Sequence, residues 1–145
     1  MVYPKLLIIP LIVGIITFAI KILIRGLKAN FNLDITFDYG GMPSVHTAFV
    51  TSLCTVIYIA EGAFSAAFAI AVIFSLIIIR DALGMRQIIS FQSVALLRII
   101  AKYPKKEREL FPKRLEKHIG HTLAEVIVGF ILGIVLALTF YLIIP

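Results

Sequence analysis

The sequence predicts an all-α fold: an integral membrane helical bundle with about four spanning helices plus one short interfacial or re-entrant helix. Three observations predict it. Of the 145 residues, 61% are hydrophobic, and the mean hydropathy is +1.05. Charged residues make up only 15%, against about 25% in soluble domains. The apolar residues fall in runs of helical length, with neither the alternation of a strand nor a repeat of fixed period. A chain of this size is read as one domain, residues 1–145, with no room for a separate soluble module.

The first predicted helix covers residues 5–24, with Pro10 in its early turns and Lys21 near its far end. The N-terminus lacks a small-x-small cleavage site, so this helix is read as retained. The second covers residues 44–60 and the third residues 62–79, separated by the Glu61-Gly62 turn; the last covers residues 122–144. Crossing about 30 Å of hydrocarbon takes about 20 helical residues. The middle two are therefore short and need polar flanks at the interface. Residues 86–101 would reach about 24 Å as a helix. Arg86, Ser90 and Ser93 fall on one side of it, with Ile88, Phe91, Ala95 and Ile99 elsewhere. That pattern fits a helix lying in the interface or entering the protein part-way.

Charge placement orients the bundle. If residues 86–101 do not cross, 13 of the 14 lysines and arginines share one face and only Lys5 lies opposite. The positive-inside tendency makes the crowded face cytoplasmic, and Tyr3, Tyr58 and Tyr141 gather at the other interface. If the segment crossed, His46 and His121 would finish on opposite faces. The non-crossing topology is expected, in a multi-pass protein of the cell's inner membrane. The net charge of +6 is concentrated in residues 102–117, where seven basic side chains face only Glu107, Glu109 and Glu116. Beside apolar helices such a loop meets anionic lipid headgroups rather than nucleic acid. The single Cys54 excludes an intrachain disulfide and indicates no thiol metal site.

Two motifs carry chemistry. Gly40-Gly41-Met42 leads into Pro43-Ser44-Val45-His46 at the head of an apolar helix. Proline and serine suit a helix start, whose unpaired N–H groups and dipole attract anions. A histidine just inside can exchange a proton with a bound anion. The second motif is His121-Thr122-Leu123-Ala124-Glu125, with a carboxylate four positions beyond a histidine at the head of another apolar helix. Two histidines, a carboxylate and an anion-binding helix end indicate phosphoryl transfer within a membrane.

Pro43-Ser44-Val45-His46 and His121-x-x-x-Glu125 resemble the second and third motifs of the type-2 phosphatidic acid phosphatase superfamily, which includes the vanadium haloperoxidases. That superfamily carries K-x6-R-P, then P-S-G-H, then S-R-x5-H-x3-D. Gly40-Gly41-Met42-Pro43-Ser44, Asp81-Ala82-Leu83-Gly84-Met85-Arg86 and Gly120-His121-Thr122 are similar to its short, divergent branch, and the likeness covers residues 21–133. There are departures. Val45 stands in place of glycine, Lys21-x6-Lys28-Ala29 keeps the spacing of the first motif with Lys for Arg and Ala for Pro, and Glu125 stands for Asp. No Ser-Arg pair precedes His121 at the expected distance. Lysine lacks the two-pronged planar donor of arginine, and Arg86 is the candidate for the missing guanidinium.

The resemblance implies roles. His121 attacks phosphorus and forms a phosphohistidine. Glu125 holds its imidazole in the attacking tautomer. His46 protonates the departing alkoxide. Lys21, Lys28, Ser44 and Arg86 bind the phosphoryl oxygens. The parent chemistry needs no metal or other cofactor.

Plainer roles stand beside these. Thr122-x-x-Glu125 has the form of a capping box, Pro43-Ser44 of an ordinary helix start, Lys21 of a snorkelling side chain, and Arg86 of an inside-positive charge. His118 reads as a loop histidine and Asp81 as a partner of Arg80 or Arg86. His46, His118, His121 and Asp81 contain no recognised zinc or iron ligand set, so no metal is expected. Ionisable side chains at membrane depth cost about 2.5–3.5 kcal/mol each on insertion scales, which favours function for Lys21 and His46. Gly129-x-x-x-Gly133 is read as packing within the chain, with a homo-oligomer as its other use.

The expected activity is hydrolysis of a lipid phosphate: a phosphatidylglycerophosphate-like or phosphatidate-like monoester, or a polyprenyl diphosphate. A non-catalytic lipid-phosphate binder or transport-associated protein is the alternative. A haloperoxidase is disfavoured, because soluble halide and peroxide chemistry gains nothing from burial in lipid.

Overall fold

The computed structural model describes residues 3–28, 41–108, 110–111 and 122–145. Among these residues there are six helices and no strand: α1 Tyr3–Lys28, α2 Val45–Glu61, α3 Ala66–Leu83, α4 Met85–Ile100, α5 Lys105–Arg108 and α6 Leu123–Ile143. α1, α3 and α6 are long and apolar enough to cross a bilayer. α2, with 17 residues, is about 25 Å long. It is the central helix, packed against α1, α3 and α6, while α4 packs on α3. The predicted membrane bundle is the observed fold.

Three boundaries differ from the sequence reading by about a turn: the end of α1, the start of α3, and the end of α3, which runs to Leu83 rather than residue 79. α1 extends to Lys28, one turn beyond residue 24. α3 begins at Ala66 rather than residue 62, because Ser65 is its cap: the Ser65 hydroxyl accepts the Phe68 N–H at 3.1 Å. Gly62, with φ +83°, closes the end of α2 by donating its N–H to the Tyr58 carbonyl at 3.0 Å. The segment after α3 is a 16-residue helix, Met85–Ile100. Arg108 ties down its far end, donating to the carbonyls of Ala101 and Tyr103 at 2.5 and 2.6 Å.

Contacts between helices establish their directions. A Cβ on Gly14 would meet the Phe49 ring at 3.1 Å, and Arg25 lies against Gly41, so α1 runs antiparallel to α2. Cys54 Sγ lies 3.1 Å from Ser75 Oγ, and the Tyr58 and Phe68 rings are 5.6 Å apart, so α3 is also antiparallel to α2. Gly129 packs on Ser44 and Gly133 on Ala48, so α6 runs parallel to α2. Both motif-bearing helices therefore begin at the same end of the bundle. α3 finishes at that end and α6 starts there, so the α4 segment leaves and returns on one side.

The core is graded along its length. On α1, the buried i±4 ridge reads Ile9, Val13, Thr17, Lys21, apolar first and then hydroxyl and cation. After its buried cap Ser44, α2 buries Thr47, Thr51 and Ser52 interleaved with Ala48 and Val50, and then only the apolar Val56 and Ile57. The apolar cluster of Ile9, Val13, Ala48, Val56 and Ala137 fills the middle and far part of the bundle. At that far end the Lys5 ammonium lies 5.0 Å over the Tyr141 ring, a cation–π contact suited to the interface.

Candidate functional site

Ser44 organises the polar end. It is fully buried and caps α2: its hydroxyl accepts the Thr47 N–H at 3.4 Å and lies 2.9 Å from the Thr47 hydroxyl. Its backbone N–H donates to the Glu125 carbonyl at 3.1 Å. This bond joins the start of the first motif to the first turn of the helix that follows the second. The close approach is set by small residues. A Cβ on Gly129 would stand 2.5 Å from the Ser44 carbonyl oxygen, and one on Gly133 would stand 2.6 Å from that of Ala48. The Gly129-x-x-x-Gly133 face is thus packed within the chain, against Ser44-x-x-x-Ala48.

The head of α6 is the capping box anticipated from the sequence. The Thr122 hydroxyl accepts the Glu125 N–H at 3.3 Å, and the Glu125 carboxylate accepts the Thr122 N–H at 3.3 Å. That carboxylate is half-buried at the residue adjoining His121. His121 itself lies outside the described residues, as does His118, and their placement forms no part of the geometry. His46 is the second residue of α2, and its side chain is exposed at the polar end.

The cations come from α1. Lys21 is only 9% exposed, and the register set by Gly14 against Phe49 and Arg25 against Gly41 brings it level with Pro43 and Ser44. One turn further in, the Thr17 hydroxyl is fully buried, with no hydrogen-bond partner among the described residues. Lys28 closes α1 and Arg86 is the second residue of α4, with both side chains outside the described set. The α2–α3 register brings Arg80 and Asp81 level with residues 46–47. Of the residues proposed from sequence, Ser44, His46, Lys21 and Glu125 therefore share one end of the bundle.

Sequence reasoning missed Arg25, treating it only as an inside-positive charge. Its guanidinium fills the place where a Gly41 side chain would stand, with Nη2 2.7 Å and Nε 2.9 Å from that Cβ position. Gly41 has φ +90°, so glycine is required there for both backbone and space. The signal available in sequence was the i, i+4 spacing of Lys21 and Arg25 on one helix.

Chemically, this end offers a capped helix start, a buried ammonium, a guanidinium, an accessible imidazole and a carboxylate. Such a set can hold an anion and move protons beside it.

A family model described as "Divergent PAP2 family" matches residues 3–136. The uncharacterized membrane protein YuiD of Bacillus subtilis (strain 168) is 35% identical over 109 residues, which is 68% of this chain and 69% of that protein. No solved structure matches the chain. Three helices long and apolar enough to cross a bilayer, together with a membrane-protein relative, mark it as a membrane protein. The resemblance read from the histidine motifs and the match over nearly the whole chain agree: the chain belongs to the Divergent PAP2 family.

Proposed function

We propose that this protein is a membrane-embedded, metal-independent lipid phosphate phosphatase acting through a phosphohistidine. The Ser44 N–H to Glu125 C=O bond carries the reading, because it brings the two motif helices to a common end. In the proposed reaction a ring nitrogen of His121 attacks phosphorus as the ester P–O bond breaks. His46, protonated, gives its proton to the departing alkoxide. Water then attacks phosphorus, His46 takes a proton from it, and the P–N bond breaks to release inorganic phosphate and restore His121. Glu125 orients the His121 imidazole. Lys21, Lys28, Ser44 and Arg86 neutralise the phosphoryl oxygens.

The substrate class follows from the setting. A site at the polar end of an apolar bundle favours an acyl or prenyl tail in the bilayer with its phosphate at the interface. A phosphatidylglycerophosphate-like or phosphatidate-like monoester fits a cytoplasmic site in an inner membrane. A polyprenyl diphosphate fits the opposite orientation. Anionic lipid headgroups are the proposed partner of the basic residues among 102–117.

Val45, Lys28 and the missing Ser-Arg pair favour a second reading, a non-catalytic lipid-phosphate binder or transport-associated protein. Purified protein in nanodiscs containing phosphatidate separates the two. Phosphate release that resists chelators, is blocked by vanadate and vanishes in His121→Ala supports the enzyme. Binding without release supports the second reading, and undiminished turnover in His121→Ala contradicts the mechanism.

A further inference from the structure

His46 is exposed at the head of α2, on a row of residues four apart that continues through Val50, Cys54 and Tyr58. That row faces α3. The Ser75 hydroxyl lies 3.4 Å from the Val50 carbonyl and 3.1 Å from Cys54 Sγ, and the Tyr58 and Phe68 rings are 5.6 Å apart. Ser75 therefore stands opposite the 50–54 turn. The two helices run antiparallel and each rises about 1.5 Å per residue. A turn and a half nearer the polar end, α2 presents His46 and α3 presents Asp81. The buried stripe of α3 runs through Ala71, Ser75 and Ala82. Asp81 flanks that stripe and is exposed, as His46 is.

A protonated imidazole carries two N–H groups. As a general acid it needs one aimed at the leaving oxygen and the other held by an acceptor. Among the described residues of the helices packed on α2, the carboxylates at this end are Glu125 and Asp81. Lys21, Arg25 and Arg80 are donors only. The Glu125 carboxylate accepts the Thr122 N–H, and its carbonyl accepts the Ser44 N–H. Glu125 thus lies on the Ser44 side of α2, and residues two apart on a helix do not share a face. Arg80, adjacent to Asp81 in sequence, projects from a different face of α3.

We infer that Asp81 is a positioning residue for His46: its carboxylate accepts a hydrogen bond from one ring nitrogen and leaves the other aimed at the leaving-group oxygen. In this arrangement each histidine has its own carboxylate, Glu125 for His121 and Asp81 for His46. The role rests on the phosphatase reading, whereas the contact between carboxylate and imidazole is measured apart from it.

The contact is read from ¹⁵N spectra of the full-length protein, labelled at histidine, in nanodiscs. The chain has three histidines, so the His46 signals are those lost in His46→Ala. Asp81→Asn shifts them, and Asp81→Glu returns them toward wild type. Unchanged His46 signals in Asp81→Asn overturn the inference. If that variant does not fold, ¹³C–¹⁵N recoupling in the wild type decides. An aspartate carboxyl carbon within about 4 Å of a His46 ring nitrogen supports the contact, and none within that range overturns it.

The role is read from phosphate release. Asp81→Asn lowers kcat on phosphatidate about 10–100-fold, less than the loss of the general acid itself, with little change in KM. On an aryl phosphate, whose leaving group needs less protonation, the loss shrinks; Asp81→Glu recovers most of it on phosphatidate. Adding Asp81→Asn to His46→Ala costs nothing further, as expected for two residues acting as a unit. Losses that multiply in the double variant, or that are equal on both substrates, overturn the role. If the wild type releases no phosphate, the phosphatase reading fails, and the His46 signals alone support or overturn the contact.

Discussion

The backbone N–H of Ser44 donates to the carbonyl of Glu125 at 3.1 Å, joining the cap of α2 to the first turn of α6, a parallel helix far away in sequence. Behind it, Gly129 and Gly133 let α6 lie directly on the backbone of Ser44 and Ala48. The polar end is therefore held together by a zone of backbone contact that tolerates no added side chain.

Substitution of that zone tests the architecture. Gly129→Val and Gly133→Val each force a Cβ to within about 2.6 Å of a carbonyl oxygen. Overpacking of this kind costs about 1–3 kcal/mol. Thermal unfolding in detergent is expected to show it, and phosphate release should fall with it because the helix heads separate. Wild-type stability in both variants would show that α6 does not lie on α2.

Glu125 has two assignable jobs, and Glu125→Gln separates them. Glutamine serves the capping box as glutamate does, so the melting temperature should hold. An amide cannot hold imidazole in the attacking tautomer, and the corresponding change in a serine protease triad lowers kcat about 10⁴-fold. A loss of at least about 10²-fold is expected here. Thr122→Ala should do the reverse, costing about 0.5–2 kcal/mol through the lost cap with a smaller effect on kcat. Equal kcat for Glu125→Gln and wild type would leave the carboxylate with capping alone.

His46→Ala should lower kcat about 10²–10⁴-fold, the range for losing a general acid, without loss of helical circular dichroism. A substrate with a more acidic leaving group, such as an aryl phosphate, needs less protonation as it departs. The variant should therefore lose less on that substrate. An equal loss on both substrates would remove His46 from the leaving-group step.

Thr17 gives a stability prediction with no catalytic content. Its hydroxyl is buried and has no hydrogen-bond partner among the described residues, a state that costs about 1–3 kcal/mol. Thr17→Val keeps the shape and removes the hydroxyl, so the melting temperature should rise. A fall would mean that the hydroxyl holds a water or ligand oxygen.

These predictions use features of unequal visibility in the sequence. The helix heads at Ser44 and Thr122 were legible because capping is a local matter of one side chain and the next turn. The start of α3 was misplaced because the apolar pattern runs unbroken through Ala63 and Phe64. Ser65 decides the boundary, and only its hydroxyl marks it. Gly129-x-x-x-Gly133 was legible as a packing face, but its partner was not. Ser44-x-x-x-Ala48 has the same small-residue spacing, hidden beneath its reading as a phosphate motif. The i, i+4 spacing of Lys21 and Arg25 was legible, but the position of Arg25 against Gly41 depends on how α1 packs on α2, which no local pattern encodes.

The central claim, that His121 carries the phosphoryl group, is tested most directly by trapping it. Purified protein is mixed with phosphatidate, quenched in alkali to preserve any phosphoramidate, digested and mapped by mass spectrometry. The account predicts a phosphoryl group on His121, absent from His121→Ala and accumulating in His46→Ala if water activation becomes slow. Steady phosphate release with no phosphorylated histidine, or with the label unchanged in His121→Ala, would contradict it.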